Sequence, residues 1–152
     1  METSDATSAS APFWIRHWMT LPAVRWIALL GLCAAYLQGA FDKVTDFPGA
    51  VAEMQHFGLV PAVPLAVATI VTELVGPGLI LTGVYRWLGG LWLAAFTLIA
   101  TFVANRFWEL PLPDRFMVEN AFFEHLGLVG GFILIAWHDL SSLSGAESKI
   151  KP

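Results

Sequence analysis

The segment from Glu119 to Trp137 reads ENAFFEHLGLVGGFILIAW and decides the fold. It is apolar and rich in glycine, and it carries two carboxylates, Glu119 and Glu124, and one imidazole near its start. On a helix, Glu124, Gly127 and Gly131 share one face, because side chains three and four positions apart stack along the 3.6-residue repeat. Glycines at this spacing let apolar helices approach each other closely in lipid. We therefore expect the last helix of a membrane bundle, with Glu124 pointing inward.

The composition is typical of a membrane protein with one domain. Of the 152 residues, 57% are hydrophobic and 13% are charged, and the mean hydropathy is +0.66. This excess of apolar surface needs lipid to cover it. The net charge of −4 comes without any basic run that could follow a phosphate backbone, so nucleic acid is not an expected partner. The single cysteine, Cys33, lies in an apolar run and is expected to be a small packing residue.

Four apolar segments have the length of about 20 residues that a bilayer-crossing helix needs. We predict crossings at residues 21–41, 61–85, 87–108 and 120–138. A short surface helix is expected over residues 47–57. Residues 1–15 are predicted to be a disordered tail and residues 139–152 a polar one. The predicted fold class is therefore all-α, an integral membrane antiparallel four-helix bundle with a short surface helix between helices 1 and 2.

The third crossing indicates which of its sides faces the protein. Its small and polar side chains recur at helical spacing, and they are Gly90, Ala94, Thr97, Thr101 and Asn105. Small residues allow close helix packing in lipid, whereas the Leu, Phe and Trp residues between them can face acyl chains. We therefore predict that this small-residue face points into the bundle.

The basic residues favour an orientation with both termini in the cytoplasm. Cytoplasmic loops carry an excess of Lys and Arg. With both termini inside, five basic residues lie inside and three outside. The inner five are Arg16, Arg25, Arg86, Lys149 and Lys151, and the outer three are Lys43, Arg106 and Arg115.

Polar residues gather where the third helix ends and the fourth begins, which is the outer leaflet in this orientation. The cluster consists of Gln38, Lys43, Asn105, Arg106, Glu109, Glu119, Asn120, Glu124 and His125. A carboxylate beside an imidazole at membrane depth can pass a proton, bind a polar head such as a quinone carbonyl, or ligate a metal. The alternative is structural, with Arg106 and Glu124 neutralising each other and tying two helices together.

Glu73 is the one charge of the second crossing and lies close to its midpoint. A carboxylate at the centre of a bilayer costs about 3 kcal/mol. We therefore expect it to be protonated or hydrogen-bonded, with Thr72, Thr97 and Thr101 as candidate partners. Proton relay is the functional hypothesis, and a purely structural link between helices is the alternative.

The histidines do not predict a metal site, because they lack paired spacings such as His-x-x-x-His. The sequence also has no haem-ligand pair, no flavin motif and no second cysteine. We therefore expect no metal, haem or flavin, and no electron transfer by this chain unaided.

Four blocks occur in order along the chain: QGAFDK at 38–43, Glu73 with GPGLILTG at 76–83, NRFW at 105–108, and NAFFEHLGLVGG at 120–131. Through these blocks the sequence resembles the DoxX family of small bacterial four-helix membrane proteins. The resemblance implies membrane redox work, since relatives are subunits of thiosulfate:quinone oxidoreductase or partners of oxidoreductases and superoxide dismutase in membrane assemblies.

We therefore expect an accessory subunit of a quinone-linked redox complex in the bacterial inner membrane, with quinone as its ligand. Its partners would be the lipid bilayer and either other membrane subunits or further copies of itself. One alternative is a non-catalytic subunit that packs against a larger complex and binds protein, lipids or pigments. Another is a carrier for a small hydrophobic solute. The candidate residues are Glu73, Glu124 and His125 for proton handling, and Arg106, Asn105 and Gln38 for binding the quinone.

Overall fold

A computed structural model describes residues 11–148, which form six α-helices, one 3-10 turn and no strand. The elements are α1 (Phe13–Met19), α2 (Pro22–Thr45), α3 (Phe47–His56), α4 (Ala62–Thr82), α5 (Arg86–Ala104), the 3-10 turn (Phe107–Glu109) and α6 (Arg115–Ser148). Helices α2, α4, α5 and α6 are long and apolar enough to cross a membrane. The predicted membrane bundle of four helices is therefore confirmed.

Both ends of the described chain are more helical than predicted. Helix α1 occupies the last residues of the predicted tail over 1–15, of which residues 1–10 lie outside the described part. Helix α6 continues to Ser148, through most of the predicted polar tail, and residues 149–152 lie outside the described part. Ser141 and Ser144 donate their hydroxyls to carbonyls four residues earlier, so these polar side chains are satisfied by the helix itself.

Helix α3 is the predicted short helix between the first two crossings, and the structure confirms it. Asp46 caps its start by accepting a hydrogen bond from the Gly49 N–H at 3.0 Å. Ala50 and Met54 are buried against Ala66 of α4. This packing holds α3 against α4, with further contacts to α2.

Helix α5 lies between α4 and α6 and contacts both through glycines. A Cβ atom on Gly89 would lie 2.9 Å from the carbonyl oxygen of Gly76, and one on Gly90 would lie 2.8 Å from that of Phe132. Both distances are too short for a real Cβ, so the backbones approach as closely as glycine allows. The predicted small-residue face of α5 is therefore confirmed as buried, and it includes Gly90, Ala94, Thr97 and Thr101.

Helix α6 turns a different face inward from the one predicted. Gly127 is exposed, with no atom within 4 Å of a Cβ built there, while Gly131 would meet Leu32 of α2 at 3.3 Å. Glu124 is also exposed, so the prediction that it points inward is wrong. Packing against the neighbouring helices decides the face, since the Phe132 ring lies edge-on against Tyr36 of α2 and Ala136 lies against Gly90 of α5. The buried side chains of α6 are Phe122, Phe132 and Ala136.

The opposite end of the bundle is fixed by an acid of α6. Asp139 accepts a hydrogen bond from the Trp87 N–H at 3.1 Å, and so it caps the start of α5. Arg86 lies 3.9 Å from Asp139 and donates to the Ile80 carbonyl at 2.9 Å. These contacts tie the turn between α4 and α5 to the last helix.

Candidate functional site

A cavity of about 500 Å³ lies among α2, α3, α4, α5 and α6. This volume is in the range of small-molecule sites, which are mostly apolar with a few convergent polar groups. The walls include Leu65, Phe96, Val103 and Leu128. The polar groups in the lining are Tyr36, Lys43, Glu53, Thr69, Thr72, Glu73, Thr97 and His125.

Glu73 is the most buried charged group of the cavity, with only 7% of its surface exposed. Its Oε1 lies 3.3 Å from Lys43 Nζ, which donates a hydrogen bond to it. The same ammonium lies 3.7 Å from Oε2 of Glu53, so it bridges two carboxylates. Oε2 of Glu73 is buried and has no hydrogen-bond partner among the described residues. This oxygen is therefore enclosed by the protein, next to the α2 backbone at Gly39.

Gly39 shows how deep this carboxylate lies. A Cβ atom on Gly39 would lie 3.3 Å from both carboxylate oxygens of Glu73. Gly39 is six residues before the end of α2 at Thr45, which is about 9 Å along a helix axis. The carboxylate thus lies about two turns from one end of α2 and can be reached by Lys43, one turn after Gly39. This reach explains why its partner is Lys43 rather than the threonines that the sequence suggested.

Tyr36 joins α2 to α5 beside the cavity. Its hydroxyl is buried and hydrogen-bonded to Thr97 Oγ1. Because the Thr97 hydroxyl donates its proton to the Leu93 carbonyl at 2.5 Å, Tyr36 is the donor in the shared bond. The ring packs edge-on against Phe132, with 5.3 Å between centroids. These contacts hold three crossing helices together at the level of the cavity.

His125 contributes the imidazole of the cavity and is held by α5. Its Nδ1 lies 2.9 Å from Asn105 Nδ2 and 3.2 Å from Thr101 Oγ1. The Asn105 amide donates to Nδ1, while the Thr101 hydroxyl donates to the Thr97 carbonyl at 2.6 Å. Nδ1 is then an acceptor, and Nε2 of the neutral ring carries the proton. His125 can therefore offer an N–H donor to a molecule in the cavity.

Four of the six predicted residues do not line the cavity, and of these Asn105 is connected to it through His125. Gln38 is exposed and hydrogen-bonded to Asp42. Arg106 is exposed and pairs at 3.6 Å with Glu109, three residues along the chain. Glu124 is exposed and has no ion pair or hydrogen bond within the part of the chain that the structure describes. The structural alternative, a pair between Arg106 and Glu124, is therefore wrong, because a local partner satisfies the guanidinium and α6 turns the carboxylate away.

Lys43 lies in a different place from the one that the sequence predicts. It was expected in the outer polar cluster, but its ammonium lies inside the bundle beside Glu73. The four-residue spacing from Gly39 is the signal that could have placed it there, because a glycine one turn earlier leaves room for its stem along the same helix face. For Tyr36 and Thr97, the only sequence indication of a place at the cavity is that they are polar side chains within apolar runs.

Comparison with known proteins found one matching protein family. A sequence profile described as DoxX matches residues 25–106. The matched range runs from α2 to the end of α5 and includes Tyr36, Lys43 and Glu73, whereas His125 lies beyond it. The comparison with curated proteins found no match, and the comparison with solved structures found none either.

Proposed function

The chain belongs to the DoxX family, and from that premise we propose that it is a small subunit of a quinone-linked redox assembly whose cavity holds the quinone head group. The family and the four apolar helices make it a multi-pass membrane protein. Its proposed place is the bacterial inner membrane, with both termini cytoplasmic as the basic residues predict. The observation that carries the proposal is the apolar cavity, whose lining holds the Lys43–Glu73 ion pair and the imidazole of His125.

The dimensions and chemistry of the cavity support this ligand class. A quinone head group is an apolar ring with two polar oxygens, and about 500 Å³ of mostly apolar space suits it. The cavity also reaches the lipid-facing side of α5, because Ile99 lines it and is 67% exposed. An isoprenoid tail could therefore extend into the bilayer while the ring stays among the helices.

The polar residues of the cavity can handle protons and orient the ring. When bound, a quinone supplies the capacity to take up two electrons and two protons. The Nε2–H of His125 and the ammonium of Lys43 are donors for its oxygens. The carboxylate of Glu73, in the lining of the cavity, can hold a proton. The chain would thus bind the ligand and manage protons, with electron transfer left to a partner subunit.

A pair of alanines in α5 allows the site to be tested. Ala100 lines the cavity, whereas Ala95 is exposed on the same helix. We expect the protein in lipid nanodiscs to bind a short-chain benzoquinone saturably in calorimetric titrations. Ala100→Phe should fill the cavity and abolish binding, and Ala95→Phe should leave it unchanged. If the unmodified protein binds no quinone, or if both variants bind equally well, the proposal fails.

A second candidate function is a structural subunit that packs against a larger membrane complex. It is favoured by Glu124, an exposed carboxylate on a membrane-spanning helix with no partner among the described residues. A charge facing lipid within the hydrocarbon region costs up to about 3 kcal/mol, and a neighbouring subunit with a donor side chain would offset that cost. Purification from native membranes separates the two functions. Stoichiometric recovery in an assembly without quinone favours the structural role, and quinone retained on the isolated protein favours the first proposal.

A further inference from the structure

We propose that the end of the bundle where α6 begins holds a second site, which binds the zwitterionic headgroup of a phospholipid with a primary ammonium, such as phosphatidylethanolamine. The site is a pocket of about 260 Å³ among the end of α3, the end of α5, the 3-10 turn and the start of α6. It adjoins the larger cavity, but the polar residues in its lining are different ones, His56, Arg106 and Glu109. The inference therefore does not depend on what the larger cavity binds.

The pocket lies at the depth of lipid headgroups. The third crossing extends over 24 residues, from Arg86 to Glu109. As a helix this is about 36 Å, whereas the hydrocarbon core is about 30 Å thick. Arg106 and Glu109, at the end of the crossing, thus reach the headgroup region. Trp108 stands between them and is 49% exposed, as is typical of tryptophan at a membrane interface.

The charges of the pocket complement those of a zwitterion. Nη1 of Arg106 lies 3.6 Å from Oε1 of Glu109, so one positive and one negative group line the pocket side by side. A guanidinium binds phosphate oxygens through its planar fork of N–H donors, and a carboxylate accepts hydrogen bonds from an ammonium. The phosphate and the ammonium of phosphoethanolamine are separated by only two carbons. Each can therefore meet its opposite charge in the same pocket.

The ion pair leaves room for this exchange. Its side chains are 47% and 56% exposed, and an ion pair of this exposure contributes little to stability. The guanidinium has five N–H donors, so Arg106 can hold Glu109 and a phosphate at the same time. Binding the headgroup thus adds contacts without breaking a costly one.

The rest of the pocket suits the parts of a phospholipid next to its headgroup. The imidazole of His56 can donate a ring N–H to a second phosphate oxygen, and its ring lies edge-on against Phe57 at 5.1 Å between centroids. Phe57, Leu110 and Val118 supply apolar surface for the glycerol ester and the first methylenes. Free phosphoethanolamine lacks these groups, so the ligand is the lipid.

Glu109 should decide which phospholipid binds. The ammonium of phosphatidylethanolamine offers N–H donors to the carboxylate, whereas the quaternary nitrogen of phosphatidylcholine has none. Phosphatidylglycerol brings no cation and places its phosphate charge near Glu109. We therefore expect phosphatidylethanolamine to bind about fivefold more tightly than either of the others, the upper end of the range for one exposed ion pair.

Native mass spectrometry of the protein in detergent measures this order. Dioleoyl phosphatidylethanolamine, phosphatidylcholine and phosphatidylglycerol are titrated separately, and the dissociation constant of the first bound lipid is compared. Soluble phosphoethanolamine is added as a competitor at the same concentration as the lipid. We expect it to leave lipid binding unchanged, because it cannot use the apolar surface of the pocket.

Two variants locate the site. Glu109→Gln should reduce the preference for phosphatidylethanolamine to about twofold or less, because the amide carries no charge. Arg106→Gln should weaken all three lipids by a similar factor of about fivefold, since all three carry the phosphate. Arg115→Gln and Glu119→Gln are the matched controls. They alter an ion pair of similar exposure that is not in the lining of the pocket, and both should keep the full preference.

Each result supports or overturns the proposal. Equal binding of the three lipids to the unmodified protein overturns it, and so does a preference that persists in Glu109→Gln. A preference lost equally in the Arg115 and Glu119 controls would place the site elsewhere. Displacement of the lipid by phosphoethanolamine would show that a soluble headgroup, rather than a phospholipid, is the ligand.

Discussion

Lys43 Nζ lies 3.3 Å from Glu73 Oε1, so two opposite charges meet between α2 and α4 inside a bundle that is otherwise largely apolar. The side chains are 15% and 10% exposed. Removing such groups from water is expensive, and their mutual attraction offsets that cost only while both are present. Neither residue is therefore free to change alone.

A double-mutant cycle should show this dependence. We expect Lys43→Met to lower the free energy of unfolding by about 3 kcal/mol, because it leaves Glu73 as an unpaired buried charge. Glu73→Met should lower it by less, because Lys43 keeps Glu53 at 3.7 Å. The double variant should lose much less than the sum, since two methionines restore an apolar contact of similar volume. Reversible unfolding in mixed micelles measures all four proteins.

An exposed pair in the same chain provides the control for that cycle. Arg115 and Glu119 are four residues apart on α6 and are about 40% exposed. Their replacement should change the free energy of unfolding by less than about 1 kcal/mol. Additive losses at Lys43 and Glu73 would contradict the energetic coupling argued above.

Gly90 should be intolerant of even one added methyl group. Its Cβ position lies 2.8 Å from the Phe132 carbonyl oxygen, and a backbone atom cannot rotate away as a side chain can. We expect Gly90→Ala to separate α5 from α6 and to cost about 2 kcal/mol, as overpacking does. Thermal unfolding in detergent measures the change.

Gly130 on α6 is the matched position, since nothing lies within 4 Å of a Cβ built there. Gly130→Ala should be neutral or should stabilise the protein by up to about 1 kcal/mol, because alanine favours the helix. Equal effects at Gly90 and Gly130 would show that the close approach of α5 and α6 is not a packing constraint.

The faces of α5 and α6 show how far sequence periodicity could predict the packing. The α5 face was predicted correctly because its two adjacent glycines and most of its small side chains lie on one side, so only one orientation buries backbone against backbone. On α6 the glycines compete with Phe122 and Phe132, which lie on another face, and the larger rings are buried. Spacing alone does not rank two candidate faces, because the ranking depends on how well each face packs against the neighbouring helices.

The sequence predicted only those contacts of the site that join the end of one helix to the start of the next. Asn105 and His125 were expected together because the end of one helix meets the start of the next in an antiparallel pair, and the structure brings them to 2.9 Å. The pairing of Lys43 with Glu73 joins residues 30 positions apart and depends on the reach of a long side chain past Gly39. Arg106 was misassigned because its nearest acid, Glu109, is a local partner.

Removing the hydrogen bond between Tyr36 and Thr97 should cost a different amount of stability depending on which residue is replaced. Tyr36→Phe removes the donor but leaves the Thr97 hydroxyl bonded to the Leu93 carbonyl, so we expect a loss of about 1 kcal/mol. Thr97→Val leaves a buried tyrosine hydroxyl without an acceptor and should cost about 2 kcal/mol. Tyr85→Phe, at an exposed tyrosine, is the control and should be neutral. Equal losses for the two cavity variants would argue against Tyr36 as the donor.

The tautomer of His125 gives the last prediction. Because Asn105 donates to Nδ1, nitrogen-15 spectra of the neutral ring should show Nδ1 without a proton and Nε2 with one. Asn105→Leu removes that donor, so Nδ1 should become partly protonated, with Thr101 Oγ1 as its acceptor at 3.2 Å. Asn120→Leu, at an exposed position of α6, should leave the spectrum of His125 unchanged. A protonated Nδ1 in the unmodified protein would mean that Nε2 meets the ligand as an acceptor, and the donor role of His125 in the cavity would then be wrong.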